Sequence, residues 1–248
     1  MIVNELEQKL SPPEIPLKPY PPNVITLANG ERMVVREATR DETGVLLETV
    51  YPLVGGPKDF YDIVAARVYA EILGWYRHRV ANEFVLVGAI DGETVGIVNS
   101  RLVNKKIGMS LHTLTIKRGL RIGAQLFAAK MEYHIEILGQ NEVGIVAESS
   151  IGFRRWMIEY GLENREHLYP EVRHELGEVP TYVLTRELYF AVKDLKVSGQ
   201  RPVPEKLLEG SRPLKPLKNI PRYQATKGTK NEKDSNYRNR TYGIWKHE

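Results

Sequence analysis

The sequence predicts a mixed α/β fold: a mostly antiparallel sheet with two central parallel strands, flanked by helices. Three observations carry this. Alternating apolar segments meet in pairs at Asn29-Gly30 and Asp91-Gly92, dipeptides suited to tight hairpins. The stretch "SLHTLTIKRGLRIGAQLF", Ser110 to Phe127, passes from strand alternation to helical spacing at Lys117–Gly123. An apolar strand, "VGIVAE", follows that helix, so it runs parallel to "SLHTLTI" across a crossover.

In chain order, "NVITL" and "RMVVREA" read as a hairpin, because Asn29-Gly30 suits the φ > 0 positions of a type I′ turn. Thr39-Arg40-Asp41-Glu42 is a capping box that starts a helix to about Tyr51. "YPLVGGPKD" reads as a loop. From Asp59 to about Arg79, Phe60, Ile63, Val64, Val68, Ile72, Leu73 and Tyr76 follow helical spacing. "EFVLVGAI" and "ETVGIVNSRLV" form the second hairpin. The helix after the quoted strand runs to Leu138, with Gly139 as its stop. "SIGFRRWMIEYG" reads as a helix closing at Gly161, "ENREHLYPEVRHELGEVP" as irregular, and "TYVLTRELYFAV" as a last strand.

The flanks differ from this body. Six of the 15 prolines precede Asn23, which marks residues 1–22 as an extended arm lying on the body or on a neighbouring subunit. From Lys193 onward there are 14 of the 35 Lys and Arg but 6 of the 31 Asp and Glu. The tail, 193–248, therefore carries +8 and the rest −4, so the net charge of +4 describes neither part. Tyr223, Tyr237, Tyr242 and Trp245 interleave with cations there, as in nucleic-acid stacking surfaces. An extended wrap on this or a second subunit, giving an oligomer or a larger complex, is the favoured alternative.

Without cysteine there is no disulfide, thiolate nucleophile or thiolate metal site. The apolar runs are too short to span a bilayer, and "MIVNELEQKL" lacks the apolar core of a secretory signal. The expectation is a cytoplasmic protein with no membrane partner.

A helix that starts directly after a strand offers unpaired N–H groups and the positive end of its dipole. Glycines let an anion approach them, and Arg118 and Arg121 add charges suited to phosphate oxygens. The alternative is a plain connection with solvated cations. The turn resembles the acetyl-CoA pyrophosphate loop of the GNAT (GCN5-related N-acetyltransferase) superfamily, R/Q-x-x-G-x-G/A. Arg118 matches the leading Arg/Gln and Gly123 the final Gly/Ala, while Arg121 stands at the middle glycine. The element order supports the resemblance from about Val24 to Val192, and 23–192 is taken as the GNAT-like domain. In the second motif, "SSIGFRRWMIEYGL", Ser150 replaces the usual Asn and Met157 falls where many members have Tyr.

The resemblance implies a sheet splayed between "SLHTLTI" and "VGIVAE". Acetyl-CoA or another acyl-CoA would lie in the slot as co-substrate, its pantetheine arm against the backbone of Leu114 to Ile116. Its pyrophosphate would meet Arg118, Gly119, Arg121, Ile122, Gly123 and Ala124, with Ser150 opposite. The implied reaction is direct acyl transfer to an amine acceptor, making the chain an acetyltransferase. "LHTLTI" is similar to the H-x-L-x-V arrangement of the arylalkylamine branch, which makes His112 a candidate base; a bulge would change its facing. Packing against a backbone carbonyl is the alternative. Glu148 is a second candidate base or water-relay residue, or simply a charge favouring the helix dipole. Tyr160, one turn after Met157, is a candidate acid or a packing residue. His167, Glu171 and His174 flank Pro170 and read as surface polar residues, so no metal is expected. A rival reading is a non-catalytic fold that still binds CoA and serves as a scaffold or RNA-binding subunit.

Overall fold

A computed structural model describes Glu5 and residues 14–55, 61–146, 152–164 and 181–218. β1 (Asn23–Thr26) and β2 (Arg32–Glu37) form the first hairpin, and α1 (Thr43–Val54) and α2 (Tyr61–Tyr76) follow. β3 (Glu83–Ile90), β4 (Glu93–Leu102) and β5 (Ile107–Thr115) come next, then α3 (Ile122–Glu132), which ends in a wide π-helical turn at Tyr133–Ile137. β6 (Glu142–Ile145), the π-helical α4 (Phe153–Ile158), β7 (Glu163–Asn164), β8 (Tyr182–Thr185), α5 (Arg186–Lys196) and α6 (Glu205–Gly210) complete the series.

All eight strands form one sheet in the order β1-β2-β3-β4-β5-β6-β8-β7. Among the described strands, β5 and β6 are the one parallel pair. Strand alternation sorts the core into two faces. Met33, Val35, Leu86 and Val98 pack with Leu126 and Tyr133 of the α3 side. Val85, Val87, Ile97 and Leu114 pack with Leu46 and Val50 of α1 and Val68 and Ile72 of α2. β3 is buried at every position because both faces are covered, which is why it reads as an unbroken apolar run.

Two local expectations are corrected. At the first hairpin only Gly30 has positive φ, 84°, and Asn29 does not. Leu27 N–H donates to Glu31 O at 2.8 Å and Gly30 N–H to Leu27 O at 2.9 Å. The loop is thus a three-residue turn with a left-handed glycine, and Asn29 Oδ1 accepts from Glu31 N–H instead of entering a type I′ turn. The last strand ends at Thr185 rather than Val192. Thr185 caps α5 by accepting from Leu188 N–H at 3.2 Å, and Leu188, Tyr189 and Val192 then line the helix's inner face.

Both flanks lie on the body as far as they are described. Tyr20 is buried; its N–H donates to Glu37 at 2.9 Å and its hydroxyl to Glu132 at 2.7 Å. Arg201 forks onto both oxygens of the same Glu132, at 2.7 and 2.8 Å. Arg36, wholly buried on β2, grips Glu42 with two nitrogens and also donates to Ser211 O and Oγ. Leu214 belongs to the α1/α2 core, so the chain continues to pack beyond residue 192, which itself falls inside α5. The tail aromatics Tyr223, Tyr237, Tyr242 and Trp245 lie outside the described residues.

Candidate functional site

The site begins where β5 leaves β6. Among the described residues their ladder joins Ile107–Ser110 to Glu142–Ile145 and goes no further, while β5 continues to Thr115 paired with β4. Ile116 N–H donates across to Val95 O at 2.9 Å, so alternation turns the peptide groups of Thr113 and Thr115 toward the edge that β6 has left. Within the expected stretch Leu114 to Ile116, the Thr115 peptide is the one that faces this edge. Leu114 and Ile116 turn toward β4, and their side chains are wholly buried.

A bulge sets that geometry. Ser100 opposes Ser110 and Val98 opposes Thr113, so Leu111 and His112 together face Asn99. Before the bulge, Gly108 faces α3: a Cβ there would meet His134. After it, Thr113 and Thr115 face α3, with Thr113 Oγ1 accepting from Lys130 at 3.3 Å. His112 and Leu114 therefore face α2. A regular strand would have turned His112 toward α3 instead. His112 is 8% exposed, and its own peptide is held at both ends. Its N–H donates to Asn99 Oδ1 at 3.2 Å, and its carbonyl accepts from Lys130 Nζ at 3.1 Å.

Asn99 also donates to Glu83 Oε1 at 3.0 Å. Arg101 reaches Glu83 at 3.3 Å and Glu71 of α2 at 2.7 Å. Burial, then the Glu71 charge, push the Glu83 carboxyl up to about 8. On the other face Ser100, His134 and Gln140 form a buried chain of hydrogen bonds at the start of the slot. Burial and then the Lys130 charge hold His134 down to about 3, so its ring is neutral.

The turn after β5 has two kinds of glycine. Gly119 has φ 91° and open space around its missing Cβ, so it serves the backbone path. Gly123 serves packing: a Cβ there would lie 2.4 Å from Thr115 Oγ1. Arg121 occupies the left-handed region at φ 59°, a conformation that suits the glycine it replaces, and its side chain is exposed. It makes no side-chain cap, and the first intrahelical bond runs from Gln125 N–H to Arg121 O. The N–H groups of Ile122, Gly123 and Ala124 thus have no intrahelical acceptor, and they lie directly beyond the open edge of β5. Such an edge can pair with an extended chain, and such a helix start can take an anion at its end.

Among solved structures, the chain is similar to an uncharacterized protein from Bacillus halodurans at 11% identity and a TM-score of 0.50, covering 71% of this chain and 96% of that one. Two others are the GNAT domain of PAT from S. lividans (12% identity, 66% and 96% covered, TM-score 0.46) and PaiA N-acetyltransferase from Thermoplasma acidophilum in complex with coenzyme A (13%, 62% and 98%, 0.43). No family model matches the chain, and no curated protein matches it. The architecture is GNAT-like: a mostly antiparallel sheet with one parallel pair, β5 and β6, flanked by helices.

Within this GNAT-like fold, His112, Arg118, Gly119, Arg121, Ile122, Gly123 and Ala124 share one strand–turn–helix unit. Tyr160 is buried against Phe127 of α3 with ring centroids 5.4 Å apart and with Lys196 Nζ 5.1 Å from its ring. Burial pushes its hydroxyl well above the ordinary tyrosine value, so it keeps its proton. Met157 is buried in the same cluster. Glu148 and Ser150, and the His167, Glu171 and His174 set, lie outside the described residues. Among the described residues no group of His, Asp and Glu is arranged to hold a metal, and no helix is long and apolar enough to cross a membrane. Two cavities, of about 310 and 670 Å³, open beside the β3–β4 hairpin and α6, and neither is lined by β5 or β6. Sequence reasoning missed Asn99 and Lys130. Their signal was weak: a lone amide in a strand, and a lysine one turn after Leu126 on the buried stripe of α3.

Proposed function

We propose that this chain is an acyl-CoA-dependent N-acyltransferase that uses acetyl-CoA or a related acyl-CoA on an amine acceptor. The observation that carries the reading is the open edge of β5 at Thr113 and Thr115, which leads straight to the uncapped N-terminus of α3 with Arg118 and Arg121 beside it. The edge suits the amides of a pantetheine arm as a surrogate strand. The helix start suits a pyrophosphate through backbone N–H groups and the dipole.

In this reading the amine nitrogen attacks the thioester carbonyl, the C–S bond breaks, and CoA leaves as a thiolate that takes a proton from solvent. His112, turned toward α2 by the bulge, takes the proton from the attacking amine, directly or through a water. Glu148 is the second candidate for that proton, and Ser150 for a contact across the slot. Arg121 and Met157 favour a second reading, a non-catalytic GNAT-fold subunit that holds CoA and partners.

Thiol release from acetyl-CoA with a panel of primary amines separates the two. Amine-dependent release of CoA thiol supports the enzyme. CoA binding with no release above the hydrolytic background for any amine supports the subunit.

A further inference from the structure

We infer that Asn99 and Lys130 are positioning residues that lock the β5 bulge and so aim both His112 and the open edge of the strand. The inference rests on the acyl-transfer reading. It also makes a claim of its own, that two side chains outside the slot control the rate of transfer without holding CoA.

The bulge takes the His112 peptide out of the normal ladder. Its two polar groups are then satisfied by side chains arriving from opposite faces of the sheet. Asn99 Oδ1 takes the N–H from the α2 face, and Lys130 Nζ gives to the carbonyl from the α3 face. Both side chains are fully buried. Packing alone does not call for either, since a leucine and a methionine would fill similar space without removing an amide and an ammonium from water.

Each clamp is itself oriented. Glu83 accepts the Asn99 amide N–H, which fixes the carbonyl oxygen toward His112, and Arg101 ties Glu83 to Glu71 of α2. Lys130 spends a second contact on Thr113 Oγ1, the first residue of the open edge. One bonded unit therefore spans β3, β4, β5, α2 and α3 around a single peptide.

That peptide decides two directions at once. Straightening the strand, with the register before the bulge carried on, would turn His112 to the α3 face. It would also turn the Thr113 and Thr115 peptide groups back toward β4. A looser bulge leaves the pyrophosphate turn untouched but spreads the angles at which thioester and base meet.

The test uses the full chain with Asn99→Leu and Lys130→Met, and Lys130→Arg as the conservative partner. With an amine identified by thiol release, kcat should fall at least tenfold in the first two, while KM for acyl-CoA and calorimetric Kd for CoA stay within about twofold. Lys130→Arg, which keeps a buried donor, should recover most of kcat. Hydrogen–deuterium exchange should accelerate in the peptide covering 107–116 for the two apolar variants. If either apolar variant fails to fold, Asn99→Ser or Lys130→Gln replaces it in the same assays. Variants that fold, bind CoA and keep wild-type kcat overturn the inference and leave the acyl-transfer reading standing. An equal loss of kcat and CoA affinity also overturns it, as a general structural defect. A wild type that binds CoA but acylates no amine defeats the acyl-transfer reading and the positioning role with it.

Discussion

Replacing Gly123 with alanine should destabilise the protein, although helix propensity alone predicts the reverse. In a helix interior, alanine is favoured over glycine by roughly 0.5–1 kcal/mol. Here the new Cβ would lie 2.4 Å from Thr115 Oγ1, more than an ångström inside ordinary contact. Overpacking of that kind costs about 1–3 kcal/mol, so a net loss of about 1–2 kcal/mol is expected. Thr115→Ala removes the atom in the way. In the double variant at least about 1 kcal/mol of the loss should return, as a coupling energy between residues in contact. Urea unfolding of wild type, both single variants and the pair measures this directly. A stabilised Gly123→Ala, or effects that add within about 0.5 kcal/mol, would refute the claim that Gly123 exists for close helix–strand approach. The result also bears on the anion site: a larger residue at Gly123 disturbs packing before it disturbs a ligand.

Three further outcomes are expected. Arg36→Met breaks a buried pair with Glu42 and releases Ser211; it should lower stability by about 3–5 kcal/mol and expose residues 197–218 to limited chymotrypsin digestion, and an unchanged digestion rate would contradict the clamp. Glu83, raised from 4.5 to about 8, holds a proton in the folded protein that the unfolded chain gives up. Its contribution is fully present below about 4.5 and is lost as pH rises through about 8, so wild type should lose stability relative to Glu83→Gln across that window; parallel curves would show that Glu83 is ionised when folded. His112→Gln should lower kcat/KM on the order of a hundredfold with CoA affinity unchanged, and a fully active variant removes His112 from the mechanism.

What could be read from residues alone followed local chemistry. Asp91-Gly92 adopts positive φ at both positions, 50° and 81°, as a two-residue hairpin requires. The handover from β5 to α3 was visible because the apolar period changes at a glycine-bearing turn. "TYVLTRELYFAV" misled because Tyr, Val, Leu and Phe suit a strand as well as a half-buried helix. Thr185 and the spacing of Leu188, Tyr189 and Val192 decide it, and both signals are present in the residues. The bulge left no such trace, since "SLHTLT" alternates as a regular strand does. Its cause is non-local: Asn99 is 13 residues from His112 and Lys130 is 18. The Arg36–Ser211 contact, 175 residues apart, was equally out of reach of any window along the chain. So the part of the site made by one turn was legible, and the part made by side chains converging from several elements was not.

The central claim is that the open edge of β5 and the start of α3 together hold an acyl-CoA. Calorimetric titration of the full chain with CoA and, separately, with pantetheine tests it most directly. The account predicts saturable one-to-one binding of CoA, at least about tenfold tighter than pantetheine, a difference of about 1.4 kcal/mol or more from the pyrophosphate at the turn. Arg118→Glu should erase that difference while leaving pantetheine binding as it was. Absence of CoA binding, or equal affinity for CoA and pantetheine in the wild type, would contradict the account.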